Sequence, residues 1–111
     1  MGDRANVYVH HGDQPGVYLY THWAGSELPD MVHAALTRKQ RWNDEPYLTR
    51  IIFCTMVQGC ESEETGFGIS ASIGDGRDRI IDVDTETQQV TVFGGAPQSF
   101  QSFIRSAGEE S

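Results

Sequence analysis

At 111 residues, with 38% apolar and 22% charged side chains, the chain is one domain's worth of sequence. A chain this long buries enough surface to fold without a metal or a disulfide. Eight Lys and Arg stand against sixteen Asp and Glu, a net charge of −8, which excludes non-specific attraction to nucleic acid or an anionic membrane. No apolar run reaches the ~18 residues of a membrane-spanning helix, and no basic-then-apolar start reads as a secretory signal. Two cysteines, Cys54 and Cys60, make no disulfide framework and read as reduced thiols. A cytoplasmic protein is expected.

Asn6-Val-Tyr-Val-His10 alternates apolar and polar residues and reads as a strand. His11-Gly-Asp-Gln-Pro-Gly16 is a cluster of turn formers, and Val17–His22 is a second strand, so the pair predicts a hairpin. Ser26 suits an N-cap and Pro29 a first turn. Leu28, Val32, Ala35 and Leu36 then form one apolar stripe at helical spacing. With Arg38, Lys39 and Arg41 at its negative end, this helix is expected over 27–41. Asp44 caps a second expected helix, which starts at Glu45 and Pro46 and runs to Val57. Its length and cap favour helix, while Ile51-Ile-Phe53 has the β-branched and aromatic character of a buried strand.

Beyond Gly59 comes an acidic loop, Glu61–Thr65, and then strict alternation at Phe67, Ile69, Ala71 and Ile73, a half-buried strand. Ile80–Asp84 and Gln89–Phe93 are strands flanking a turn at 85–88, Gly94-Gly-Ala-Pro97 is a breaker, and Gln98–Ser106 forms a short helix. Residues 107–111 read as a frayed tail of the single domain 1–111. The order β-β-α-α-β-β-β-α implies an α+β fold. Its expected form is an antiparallel sheet of about five strands with two main helices packed on one face.

Five features bear on chemistry. Asp82-Val-Asp84-Thr-Glu86 opens like a calcium loop, but position 6 is Thr87 and position 12 is Phe93, so no calcium site is expected. Asp82 and Asp84 instead share one strand face roughly 6.6 Å apart, close to the roughly 7 Å between successive phosphates of a nucleic-acid strand. The wider block 61–86 holds Glu61, Glu63, Glu64, Asp75, Asp78, Asp82, Asp84 and Glu86 against Arg77 and Arg79, a local charge of −6, whereas 27–60 is neutral. Such asymmetry suits a basic partner or an ordinary solvated surface. Third, the strand end and helix start at His22, Trp23 and Ser26, with Arg38 and Arg41, offer stacking and donors for a small nucleotide. It lacks a phosphate-loop motif, and the competing reading makes Trp23 a packing residue. Fourth, the histidines His10, His11, His22 and His33 invite a metal, but His10 and His22 sit at opposite ends of the hairpin, roughly 16 Å apart. No metal, cofactor or catalytic residue is expected, and an enzyme is disfavoured. Fifth, Gly66 and Gly68 mark a place where the backbone closely approaches a ligand or another strand.

The stretches VYLYTHWAGSELPDMVHAAL, RIIFCTMVQG and ETGFGISASIGDG, spanning about 17–92, resemble small acidic phage and prophage proteins of unassigned function. The resemblance implies a mobile-element setting inside a host cell. By analogy of size and charge, the expected function is a non-enzymatic inhibitor of a bacterial defence system, of the anti-CRISPR kind. It would dock its acidic side on a basic nucleic-acid-binding protein. The alternatives are a binder of a small nucleotide signal, acting as a homo-oligomer, and a housekeeping phage protein. Direct nucleic-acid or membrane binding is not expected.

Overall fold

Strand β1 (Ala5–His10) is paired on both sides. The computed structural model describes residues 4–59, 62, 66–73 and 79–110, apart from the side chains of 106–110. Antiparallel β2 (Val17–Thr21) lies on one side, with Val9 opposite Val17 and Ala5 opposite Thr21. Parallel β4 (Ile80–Asp84) lies on the other, with Val7 opposite Ile81 and His10 opposite Asp84. Next to β2 runs β3 (Phe67–Ser70), and next to β4 run β5 (Gln89–Val92) and β6 (Gln98–Ser99), all antiparallel to their neighbours.

The α+β class stands, but the sheet is mixed and six-stranded, in the order β3-β2-β1-β4-β5-β6. This corrects the expected antiparallel sheet of about five strands. Period-two alternation says which face a residue takes and is silent on which strand lies alongside, or in what direction. β6 escaped notice because two residues are too few to show a period. Three helices are present among the described residues: α1 (Leu28–Thr37), α2 (Glu45–Met56) and α3 (Phe100–Glu110).

The apolar stripe of α1 is buried as its spacing requires, at Leu28, Val32, Ala35 and Leu36. Its ends differ from expectation. Ser26 is no cap: it sits in a 3-10 turn, Gly25–Glu27, and α1 begins without a side-chain cap bond. The buried Thr21 hydroxyl holds the entry instead, accepting the Ala24 N–H at 3.1 Å. At the far end Lys39 and Arg41 take positive φ, 55° and 58°, so the chain has left the helix before them. The Leu36 carbonyl, which accepts the Lys39 N–H at 2.9 Å, also accepts the Trp42 indole N–H at 3.1 Å.

Residues 45–56 are helical, which settles the helix-or-strand alternative. Leu48, Ile51, Ile52 and Met56 are buried. Asp44 occupies the cap position, but its carboxylate lies 3.7 Å from the Arg41 guanidinium and makes no cap bond. Strand residues Val7, Val9, Leu19, Ile81, Val83 and Val90 join these helical side chains and Phe100 in one core cluster. The helices therefore cover one face of the sheet.

Gly16, at the start of β2's pairing, is a steric requirement. A Cβ there would lie 1.8 Å from the Val9 carbonyl oxygen, a backbone atom of the paired strand. Gly94 has positive φ, +79°, with open space around it. Gly16→Ala is therefore expected to cost about 1–3 kcal/mol or more through forced strand separation. Gly94→Ala should cost only the roughly 1–2 kcal/mol of placing a Cβ at positive φ. Urea denaturation of the two variants measures the difference.

Candidate functional site

The alternation that buries Val7 and Val9 turns Asn6, Tyr8 and His10 to the opposite face of the sheet. Register adds Tyr18 and Tyr20 from β2, Gly68 and Ser70 from β3, and Asp82 and Asp84 from β4. Tyr8 stacks between Tyr18, at 4.5 Å between ring centroids, and His10, at 4.9 Å. This face is polar and aromatic, and except for buried Asn6 its side chains are part-exposed.

The two glycines of the fifth feature meet rings of the chain itself. A Cβ on Gly66, whose φ is +108°, would lie 2.3 Å from the Trp23 ring. One on Gly68 would lie 2.3 Å from the Tyr20 ring. Trp23 also meets Phe67 edge-on at 6.3 Å and remains 51% exposed. Tyr20 lies down across β3 with His22 beside it, centroids 5.6 Å apart. Gly68 thus leaves room for the Tyr20 ring, which a side chain there would displace.

A cavity of about 280 Å³ opens at this corner, lined by Arg4, Asn6, Tyr20, Thr21, His22, Ser70 and Ser72. That is just under the ~300–1,000 Å³ typical of ligand sites, enough for one small ring system. Of the ligand residues expected from sequence, His22 lines it, whereas Trp23, Ser26, Arg38 and Arg41 do not. Arg38 and Arg41 follow the C-terminal end of α1, whose ten residues span ~15 Å, while His22 and Trp23 precede its start. Arg41 lies over the Tyr47 ring at 4.8 Å. Tyr20, Asn6 and Ser70 were missed because they lie on three separate strands, which only register brings together.

The acidic hairpin is bonded to the β1–β2 loop. Asp82 and Asp84 do share the outer face of β4, as expected, but both carboxylates have partners. Asp82 Oδ1 lies 2.7 Å from His10 Nε2. Asp84 Oδ1 accepts the N–H groups of Gly12 and Glu86, each at 2.9 Å. Buried Thr85 donates its N–H and its hydroxyl to the His10 carbonyl and faces His11 Nδ1 at 2.9 Å. Glu86 is exposed, and its carboxylate occupies the space a Gly12 side chain would need. Glu61, Glu63, Glu64, Asp75, Asp78 and Cys60 lie outside the described residues.

Burial acts to raise the Asp84 carboxyl, but the two N–H donors and the His10 charge outweigh it and hold it below its usual 3.8. His10 has both ring nitrogens engaged, Nδ1 by the Gly12 carbonyl and Nε2 by Asp82. Neither is left to take a proton from a substrate. His33 Nε2 is bonded to the Ile104 carbonyl, far along the chain from this cluster. Among the described residues no three His, Cys, Asp or Glu side chains converge as metal ligands. None of the described helices is long and apolar enough to cross a membrane.

Comparison with known proteins finds no matching family model, no matching curated protein and no matching solved structure.

Asp84→Ala removes the acceptor of two N–H groups and is expected to cost about 1–2 kcal/mol at pH 6. The folded carboxyl lies below its usual value, so its contribution is full above pH 3.8 and is lost as pH falls through the folded value. The stability gap between the native chain and the variant should therefore close in acid. Urea titrations at pH 6 and in steps below pH 4 measure it.

Proposed function

We propose that the protein is a non-enzymatic binding protein whose polar sheet face takes a small planar ligand at the Tyr20–His22 corner. The observation that carries this reading is the cavity of about 280 Å³ lined by Tyr20, whose ring lies over Gly68. An aromatic ring at the edge of a cavity offers a stacking surface to a base-like ligand. Ser70, Ser72 and His22 supply hydroxyl and imidazole groups that fix its orientation. The size of the cavity fits a single nucleobase or a molecule of that shape better than a polymer.

A second reading keeps the acidic hairpin as a docking surface for a basic, nucleic-acid-binding protein such as a component of a host defence complex. Exposed Glu86 at the hairpin turn supports it. The hydrogen bonds that hold Asp82 and Asp84 leave this surface fewer free oxygens than the strand spacing suggested.

Titration of isotope-labelled protein with adenosine, guanosine and their monophosphates tests the first reading. Amide shifts should concentrate at Tyr20, His22 and Ser70 and should be lost in Tyr20→Ala. Shifts absent from this corner with every probe would sink it. Shifts confined to the 84–88 turn on adding a polyarginine peptide, and lost in Glu86→Lys, would favour the second.

A further inference from the structure

We propose that the His10 imidazolium is a proton-operated latch, tying the Gly12 turn to the β4–β5 hairpin, and that the 11–16 loop loosens when the proton leaves. The inference is independent of the ligand reading above. It rests on what the two ring nitrogens face. Nδ1 lies 2.8 Å from the Gly12 carbonyl oxygen, and Nε2 lies 2.7 Å from Asp82 Oδ1. A carbonyl and an ionised carboxylate both accept and neither donates. Both bonds exist together only when both ring nitrogens carry hydrogen, which is the charged ring.

The surroundings favour that charge. The His10 side chain is only 13% exposed and is stacked on Tyr8. From β4, Asp82 and Asp84 face it, and in the hairpin turn the Glu86 carboxylate lies against Gly12. The titratable groups beside it on its own segment are Tyr8 and His11. Burial alone would lower the imidazole, but the bonds to Asp82 and Gly12, together with the two aspartate charges, raise it above its usual 6.5. His11 differs. Its Nδ1 meets a threonine hydroxyl, an arrangement that a neutral ring satisfies.

Loss of the proton leaves one of the two acceptors without a donor. The Gly12 carbonyl and the Asp82 carboxylate then compete for a single N–H. The other ties of the loop, Gly12 N–H to Asp84 and Gly16 N–H to the Tyr8 hydroxyl, loosen with the turn, while the strand pairing from Val9 and Val17 onward keeps the hairpin registered. The loop also forms one wall of a shallow groove whose other wall is the start of α2, at Asn43 to Pro46. Loosening therefore reshapes that groove.

The direction follows from linkage. The folded value is raised, so the latch is fully closed below pH 6.5 and opens as pH rises through the folded value. Its carboxylate half needs an acceptor at Asp82, which an ionised carboxylate supplies.

Imidazole nitrogen spectra and amide exchange, corrected for intrinsic rates, test this between pH 5 and pH 9. At pH 6 both His10 nitrogens should carry hydrogen. The His10 ring and the Gly12 and Gly16 amides should share one inflection above 6.5. Protection of the Gly12 amide should fall about tenfold across it, the equivalent of one net hydrogen bond. Asp82→Asn, at a partly exposed site, should move the inflection to lower pH, and His10→Asn should abolish it. A singly protonated His10 at pH 6 would overturn the latch. So would a loop inflection that survives in His10→Asn, since it would then belong to His11.

Discussion

The parallel pairing of β1 with β4 is the contact on which the rest of the molecule depends. It joins the first hairpin to the last three strands, and it places Val7 and Val9 beside Ile81 and Val83 on the core face. Both strands are buried at these positions because each has a neighbour on either side and helices below. The same register sets the outer face. His10 stands opposite Asp84 and reaches the next carboxylate along the strand on that face, Asp82, on the diagonal. One slip of a residue would turn Ile81 and Val83 out to solvent and the aspartates into the core. Hydrophobic burial and the polar cluster thus specify the same register from opposite sides of the sheet.

The two faces divide the work of the fold. On the core face, aliphatic side chains meet the stripes of α1, α2 and α3. On the other, aromatic rings sit on the sheet, and Gly68 makes room for one of them over β3. Polar strand residues cost little when each finds a partner. Among the described residues, no buried side-chain nitrogen or oxygen lacks one.

Charge, too, acts locally before it acts at a distance. The excess of acids keeps the whole chain away from other anions. Within the hairpin, however, the carboxylates of Asp82 and Asp84 draw in an imidazole and two backbone N–H groups. They fasten two turns that lie far apart in the sequence. Buried Thr85 completes the fastening with its hydroxyl and N–H, without adding charge.

The sequence by itself determined the elements and their faces. Alternation in 6–10, 17–22 and 80–84 named the strands and the sides they bury, and helical spacing at Leu28, Val32, Ala35 and Leu36 named α1's stripe. It also placed Asp82 and Asp84 on one outward face and kept His10 apart from His22, because those relations are short-range and follow from the pitch of a strand or the pairing of a hairpin. Only the tertiary structure decided which strands are neighbours. The parallel partner of β1, the cavity that gathers Asn6, Tyr20, His22 and Ser70, and the tie between His10 and Asp82 all depend on that choice. The physical reason is that a strand's edge offers the same row of N–H and C=O groups to any partner. The partner is selected by burial summed over the whole sheet, a quantity that no local window of sequence contains.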